Sequence, residues 1–191
     1  MPFKKLKINL TLKPNFFFLL LLWSLGCVSP EAQKPLNKQD TYFLQQSAQR
    51  NKQLLSAEQN LMQKVMENEK ATPYLASKKG FWYRYKNKIE PSTYRPKKGD
   101  RVQFRYSIAT LDGKMLYNEE TLGSVSYLVD QEDLVPALRE GVKIMQAGEV
   151  VVFLFPSYLC FSYQGDGDKI GINQPLRFEI SLDTIIKTQT Q

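Results

Sequence analysis

The stretch Asp133-Leu-Val-Pro-Ala-Leu-Arg-Glu-Gly-Val-Lys-Ile-Met-Gln-Ala-Gly-Glu-Val-Val-Val-Phe-Leu-Phe-Pro156 constrains this chain more than any other. It predicts one short helix, a tight stop and one strand. Pro136 suits a first helical turn, where its missing N–H costs nothing. Leu134, Val135, Leu138, Val142 and Met145 fall at helical spacing on a single apolar face. Gly148 stands where a left-handed C-cap is wanted, a conformation that a residue without Cβ adopts cheaply. Val150 to Phe155 is apolar without alternation, so both faces of that strand are expected to be covered. A strand of this kind belongs in the middle of a sheet, with the preceding helix covering one face.

The segments around it read mainly as strands. Phe81-Trp-Tyr-Arg-Tyr85 is a dense aromatic strand signal, and Pro91, Pro96 and Lys98-Gly-Asp100 mark a loop. Val102, Phe104, Tyr106 and Ile108 alternate with Gln103, Arg105 and Ser107, as a half-buried strand requires. Leu111-Asp-Gly-Lys114 predicts a hairpin turn, because Asp-Gly tolerates positive φ, and Met115 to Asn118 returns as its partner. Ser124 to Asp130 is a further short strand, and Leu176 to Ile186 a closing one, with Phe178, Ile180 and Leu182 on one face. The order β, β, β, helix, β, long loop, β predicts an α+β domain, an antiparallel sheet with one helix against it. Before it, Asp40 to Lys70 contains no Gly or Pro. Leu54, Leu55, Glu58, Leu61, Met62, Val65 and Met66 repeat there at roughly helical spacing. One long helix with a narrow stripe is expected, either lying on its own domain or serving as an arm for dimerisation or partner docking.

The first 26 residues combine a basic start (Lys4, Lys5, Lys7, Lys13), an apolar run from Phe16 to Trp23 and a small-residue end before Cys27. The run is too short to span a membrane comfortably and sits where a signal peptide should. Ser24-Leu25-Gly26-Cys27 points to lipoprotein processing with Cys27 lipidated; an ordinary cleaved signal or an uncleaved anchor is the alternative. Acyl chains at ~0.8 kcal/mol per buried CH₂ would hold the protein to a bilayer. Residues 27–39, with Pro30 and Pro35, read as a tether, 40–72 as the helical arm and 80–191 as the globular domain. Four of the 26 basic residues belong to the signal, leaving 22 against 19 acidic, a net of +3 that is too mild to argue for nucleic acid.

The sequence contains no histidine, the commonest general base and metal ligand. Asp166-Gly-Asp168 lacks the further acidic positions of a calcium loop and reads as a turn, so no metal site is expected. Cys160, between Leu159 and Phe161, reads as a small buried hydrophobe. No nucleophile–base pair, phosphate loop or zinc spacing is present. Conventional hydrolytic or group-transfer catalysis is unsupported.

Leu134-Val-Pro-Ala-Leu-Arg-Glu-Gly-Val-Lys-Ile-Met-Gln-Ala-Gly-Glu149 resembles the helix motif of FKBP-type peptidyl-prolyl isomerases. Gly99-Asp-Arg-Val-Gln-Phe-Arg-Tyr106, Leu111-Asp-Gly-Lys114, Phe155-Pro-Ser157 and Leu176-Arg-Phe-Glu-Ile-Ser-Leu182 fit in the same register. The layout of signal, lipobox, helical arm, Gly80-Phe-Trp-Tyr83 and this domain is similar to that of gliding-motility-associated FKBP-type lipoproteins. The resemblance implies a five- to six-stranded antiparallel sheet wrapped around one short helix, and a cofactor-free prolyl isomerase acting on proline-containing polypeptide clients. Catalytic walls then fall on Tyr106, Phe161 and Phe178. The remaining substrate-binding positions are Leu116, Tyr117, Val125, Leu134, Val135, Leu138 and Ile170.

Several positions depart from the family pattern. Leu116 and Val125 stand for frequent Phe, Leu138 for a frequent Trp, and Tyr117 for an Asp that accepts a ligand hydrogen bond. Leu159-Cys-Phe-Ser162 replaces the usual Leu-Ala-Tyr-Gly, so Phe161 keeps a ring and loses a hydroxyl. In a small β domain these side chains would also serve simply as core. Two functions are therefore carried forward. One is an envelope isomerase or folding assistant, lipid-anchored in the outer membrane and facing the periplasm, that supports gliding motility. The other is a non-catalytic binding or scaffold lipoprotein of a motility or secretion complex.

Overall fold

A computed structural model describes residues 38–91 and 94–188, with side chains from residue 42 onward. The expected signal at 1–26, Cys27 and nearly all of the tether at 27–39 lie outside the described residues. Helix α1 spans Lys38–Asn68. There follow β1 (Leu75–Ala76), β2 (Trp82–Asn87), β3 (Arg101–Thr110), β4 (Met115–Tyr117), the short α2 (Glu119–Leu122), β5 (Val125–Leu128), α3 (Pro136–Val142), β6 (Val150–Phe155) and β7 (Leu176–Ile186). From Phe43 on, the described residues form one compact unit. Among the described residues no helix is long and apolar enough to cross a membrane.

The strands make a single antiparallel sheet in the order β1-β2-β6-β7-β3-β4, with β5 also on β3. The count is seven rather than five to six, because β1 is a two-residue piece on the β2 edge and β4 and β5 share one side of β3. β6 is central and buried on both faces, as its unbroken apolar run requires. Val151, Phe153 and Phe155 enter the main core with Ala137, Leu138, Val142 and Met145 from α3 and its following turn. The fit is tight at Gly141, where a Cβ would lie 3.1 Å from Ile180 Cδ1 and 3.5 Å from the Phe153 and Phe155 rings.

Helix α3 ends at Val142, earlier than the periodicity through Met145 predicts. The next residues tighten into turns in which Ile144 N–H donates to Gly141 O and Met145 N–H to Val142 O, so Met145 still reaches the core. Gly148 has φ +87° as expected, but it closes the connection to β6, donating its N–H to Leu182 O at 2.7 Å.

The opposite face of the sheet carries Arg84 of β2 and Arg177 of β7, which flank Val152 and Leu154 in the register. Glu69, one residue past α1, accepts from both guanidiniums, with 2.7 Å to Arg84. Met62 on the helix is 1% exposed and Glu58 is 3% exposed, while Leu61 and Leu55 of the same stripe stay open to solvent. From Phe43 on, α1 therefore lies on its own domain. Its narrow stripe suffices because two carboxylates, rather than a wide apolar face, fix it in place.

Candidate functional site

The ten residues expected to line a groove belong to one apolar cluster. They arrive from six parts of the chain: Tyr106 from β3, Leu116 and Tyr117 from β4, Val125 from β5, Leu134, Val135 and Leu138 at α3, Phe161 and Ile170 from the β6–β7 connection, and Phe178 from β7. Strand alternation explains the choice of side. Phe104, Tyr106 and Ile108 share a face of β3, as Leu176, Phe178, Ile180 and Leu182 share a face of β7. The cluster has two layers. Leu138, Ile170 and Phe178 are fully buried, and the other seven are only partly buried against them.

Tyr106 and Phe178 stack at 6.1 Å with 12° between their planes, and Phe178 meets Phe155 edge-on at 5.5 Å. Phe178 is thus the buried ring of the pair, and Tyr106 is the partly exposed one. Among the described residues the Tyr106 hydroxyl has no hydrogen-bond partner, and burial pushes its pKa above the ordinary tyrosine value. It is a donor held in an apolar setting and available to a ligand carbonyl.

Tyr117 behaves differently. Its hydroxyl donates to Asp166 Oδ2 at 2.5 Å and lies 3.3 Å from Asp168 Oδ2. The bond to Asp166, then burial and the nearby carboxylate charges, push its pKa up to about 12. Lys169 Nζ sits 4.6 Å from the centre of the Tyr117 ring and donates to Leu116 O. Where the family pattern has an aspartate on β4, this chain has a phenol on β4 and the carboxylate on the facing loop. Asp166 is the residue that sequence reasoning passed over. Its Oδ1 accepts from Asp168 N–H and Ile170 N–H, so the Asp-Gly-Asp segment is a turn folded about its first side chain.

The Leu159-Cys-Phe-Ser162 turn follows β6 through a 3₁₀ turn at Ser157–Leu159. Ser162 has φ +52°, the left-handed region that the family's glycine would occupy without strain. Ser162→Gly is accordingly expected to stabilise the domain by about 0.5–1 kcal/mol, read as a rise in the denaturation midpoint. A fall would mean that the Ser162 side chain makes a contact worth more than the strain. Cys160 is 8% exposed, and burial, followed by the Glu58 charge, pushes its thiol far up, which leaves it inert at neutral pH.

Two open clefts, of about 710 and 340 Å³, run along α1 and include none of the ten residues. The larger is lined in part by Leu61, Val65, Thr110, Leu111 and Pro175, the smaller by Leu54, Glu58, Ser157, Tyr158 and Tyr163. Among the described residues no cluster of His, Cys, Asp and Glu could hold a metal ion.

Residues 92–183 match the family model of the FKBP-type peptidyl-prolyl cis-trans isomerases. Over 88 residues the chain is 34% identical to a probable FKBP-type peptidyl-prolyl cis-trans isomerase, FkpA, of Neisseria meningitidis serogroup B, covering 46% of this chain and 32% of that protein. Over 98 residues it is 26% identical to the peptidyl-prolyl cis-trans isomerase FKBP11 of Bos taurus, covering 51% of this chain and 46% of the relative. It thus spans less than half the length of each curated relative. In structure it is similar to FkpA from Escherichia coli, with a TM-score of 0.56 and 20% identity over 92% of this chain and 83% of the other. It is also similar to a peptidyl-prolyl cis-trans isomerase from Pseudomonas syringae pv. tomato, with a TM-score of 0.55 and 23% identity over 71% and 96%. At these identities the structural likeness establishes the FKBP-like fold.

Proposed function

We propose that this chain is an FKBP-type peptidyl-prolyl cis-trans isomerase that takes proline-containing polypeptides into the opening bounded by Tyr106, Leu116, Val125, Val135 and Phe161. The observation that carries this reading is the family match over 92–183, with the residues at the family's groove positions gathered into one two-layered aromatic and aliphatic cluster. The chemistry suits a chain without histidine. Rotation about an X-Pro bond is opposed by amide resonance, with a barrier of ~18–20 kcal/mol. A twisted amide has lost charge separation, so an apolar site that strips water from the carbonyl favours it over either planar form. The Tyr106 hydroxyl supplies one donor for the substrate, and Ile170 and Phe178 supply the dry floor.

Prolyl exchange in short X-Pro peptides, followed with the full chain, tests this directly. The wild type is expected to accelerate exchange. Tyr106→Phe, which removes only the hydroxyl, is expected to lose about two- to tenfold in kcat/KM, the equivalent of one hydrogen bond of about 0.5–1.5 kcal/mol. A folded wild-type chain that accelerates nothing would sink the isomerase reading. The scaffold alternative then stands on the Tyr117–Asp166 bond, which occupies a group that would otherwise face the ligand, and on the missing Phe161 hydroxyl.

The same proposal places the chain in the envelope, lipid-anchored at Cys27 in the outer membrane and facing the periplasm, where it assists clients of a gliding or secretion apparatus. The support is the sequence layout of 1–80, which resembles that of gliding-motility-associated FKBP-type lipoproteins. Acyl labelling that persists in Cys27→Ser would remove the anchor, and normal gliding without this chain would remove the motility role.

A further inference from the structure

We propose that Glu58 of α1 is a positioning residue for the Phe161 wall of the groove, which makes the helix a working part of the isomerase; this rests on the isomerase reading above. Glu58 is a carboxylate in the middle of an apolar stripe, and it is 3% exposed. A buried carboxylate is costly unless it is hydrogen-bonded, and both of its oxygens are. Ser157 donates its backbone N–H to Oε2 at 2.8 Å and its hydroxyl to Oε1 at 2.5 Å, across 99 residues of sequence.

Ser157 is itself 3% exposed and opens the 3₁₀ turn that follows β6. Its carbonyl accepts from Cys160 N–H and from Ser162 N–H, each at 2.9 Å. The residue between those donors is Phe161, whose carbonyl in turn accepts from Gln164 and Gly165. Asn173 N–H closes onto Ser162 O at 2.6 Å, tying the turn to the chain that returns to β7. One serine is therefore gripped by the helix on one side and holds the Phe161 turn on the other. A leucine at position 58 would extend the stripe of Leu54, Met62 and Val65 and leave the Ser157 N–H without a partner. The 340 Å³ cleft lined in part by Leu54, Leu55 and Tyr158 lies beside this junction. The carboxylate does the holding.

The test compares Glu58→Leu and Glu58→Gln in the full chain by thermal midpoint, by kcat and KM in prolyl exchange, and by amide hydrogen exchange at Phe161–Gly165. Glu58→Leu is expected to keep the fold with a lowered midpoint, because a buried Ser157 N–H loses its partner, to speed amide exchange in that turn, and to lower kcat/KM by about tenfold. Glu58→Gln keeps an oxygen for the Ser157 N–H and is expected to recover most of both. Unchanged amide exchange in Glu58→Leu, or activity losses that follow the midpoint equally in both variants, overturns the proposal. If the wild type shows no isomerase activity, the isomerase reading fails by itself. Amide exchange then decides the positioning role: acceleration confined to Phe161–Gly165 upholds it, and none overturns it. If Glu58→Leu does not fold, Ser157→Ala removes one of the two bonds and is judged by the same measures.

Discussion

Phe178→Ala is expected to cost about 3–5 kcal/mol, the range for removing a large aromatic side chain from a packed core. The side chain is 1% exposed and sits on β7 opposite Ile108 on one neighbour and Phe153 on the other. It stacks on Tyr106 and meets Phe155 edge-on, so its loss opens a hole in the middle of the aromatic layer. Folded domains are held by about 5–15 kcal/mol in all, so the variant should be visibly destabilised at 25 °C. Denaturant titration measures the effect as a lowered midpoint at unchanged slope. A cost under about 1 kcal/mol would mean that the ring lines an open groove whose loss water repairs. The expectation also bears on how the proposed site should be probed: an alanine at Phe178 removes structure, whereas Tyr106→Phe changes one hydroxyl on a partly buried ring of the same cluster.

Glu69→Ala is expected to cost about 2 kcal/mol near neutral pH, between the small worth of an exposed ion pair and the 3–5 kcal/mol of breaking a buried one. Glu69 is the only carboxylate found on the Arg84 and Arg177 guanidiniums among the described residues, and it also accepts from Tyr74 at 2.9 Å. The Nε atoms of both arginines are buried without partners, so neither guanidinium has hydrogen bonds to spare. Burial alone would raise the Glu69 carboxyl; the Arg177 and Tyr74 bonds and the two positive charges hold it below its ordinary value of 4.5. A depressed carboxyl stabilises the fold above its unfolded pKa, and the contribution disappears as pH falls through the folded value. The difference between wild type and Glu69→Ala should therefore be largest near neutrality and shrink below about pH 4. Tyr74 sets an upper limit in the opposite sense. Burial, then the bond to Glu69, raises its phenol to about 12, so stability falls as pH rises from the ordinary 10 toward that value. A difference that stays constant from pH 7 to pH 3 would contradict the ion-pair account.

What could be read from the sequence follows from how local each signal is. The 133–156 stretch announced its helix, turn and buried strand because Pro136, Gly148 and the apolar run act on their own neighbours. The β3 alternation and the Asp112-Gly113 turn are local in the same way, and Gly113 has φ +93°. The early end of α3 was not legible, since i→i+3 turns keep Met145 facing the core as a full helical turn would. By spacing alone Glu58 is one member of an apolar stripe. Its reason for being acidic is Ser157, which no periodicity connects to it. Glu69, Arg84 and Arg177 likewise lie on three elements and meet only in the folded chain. At the groove positions, family resemblance names the ten residues and the fold gathers them into one cluster, but only the structure separates the buried layer from the partly buried one. The Tyr117–Asp166 pairing also needed the fold, because 49 residues separate the partners.

The most direct test of the account is where a proline-containing peptide binds. The groove proposed around the partly buried Tyr106, Leu116, Val125, Val135 and Phe161 competes with the two clefts along α1, one of which is about 710 Å³. Titrating a short X-Pro peptide into isotope-labelled full chain and following each amide separates them. The account predicts shifts centred on Tyr106, Tyr117, Phe161 and Ile170, with Lys64, Leu111 and Asn51 unmoved. Shifts confined to residues along α1 and the Thr110–Asp112 turn would contradict it and move the binding site to the helix side of the molecule.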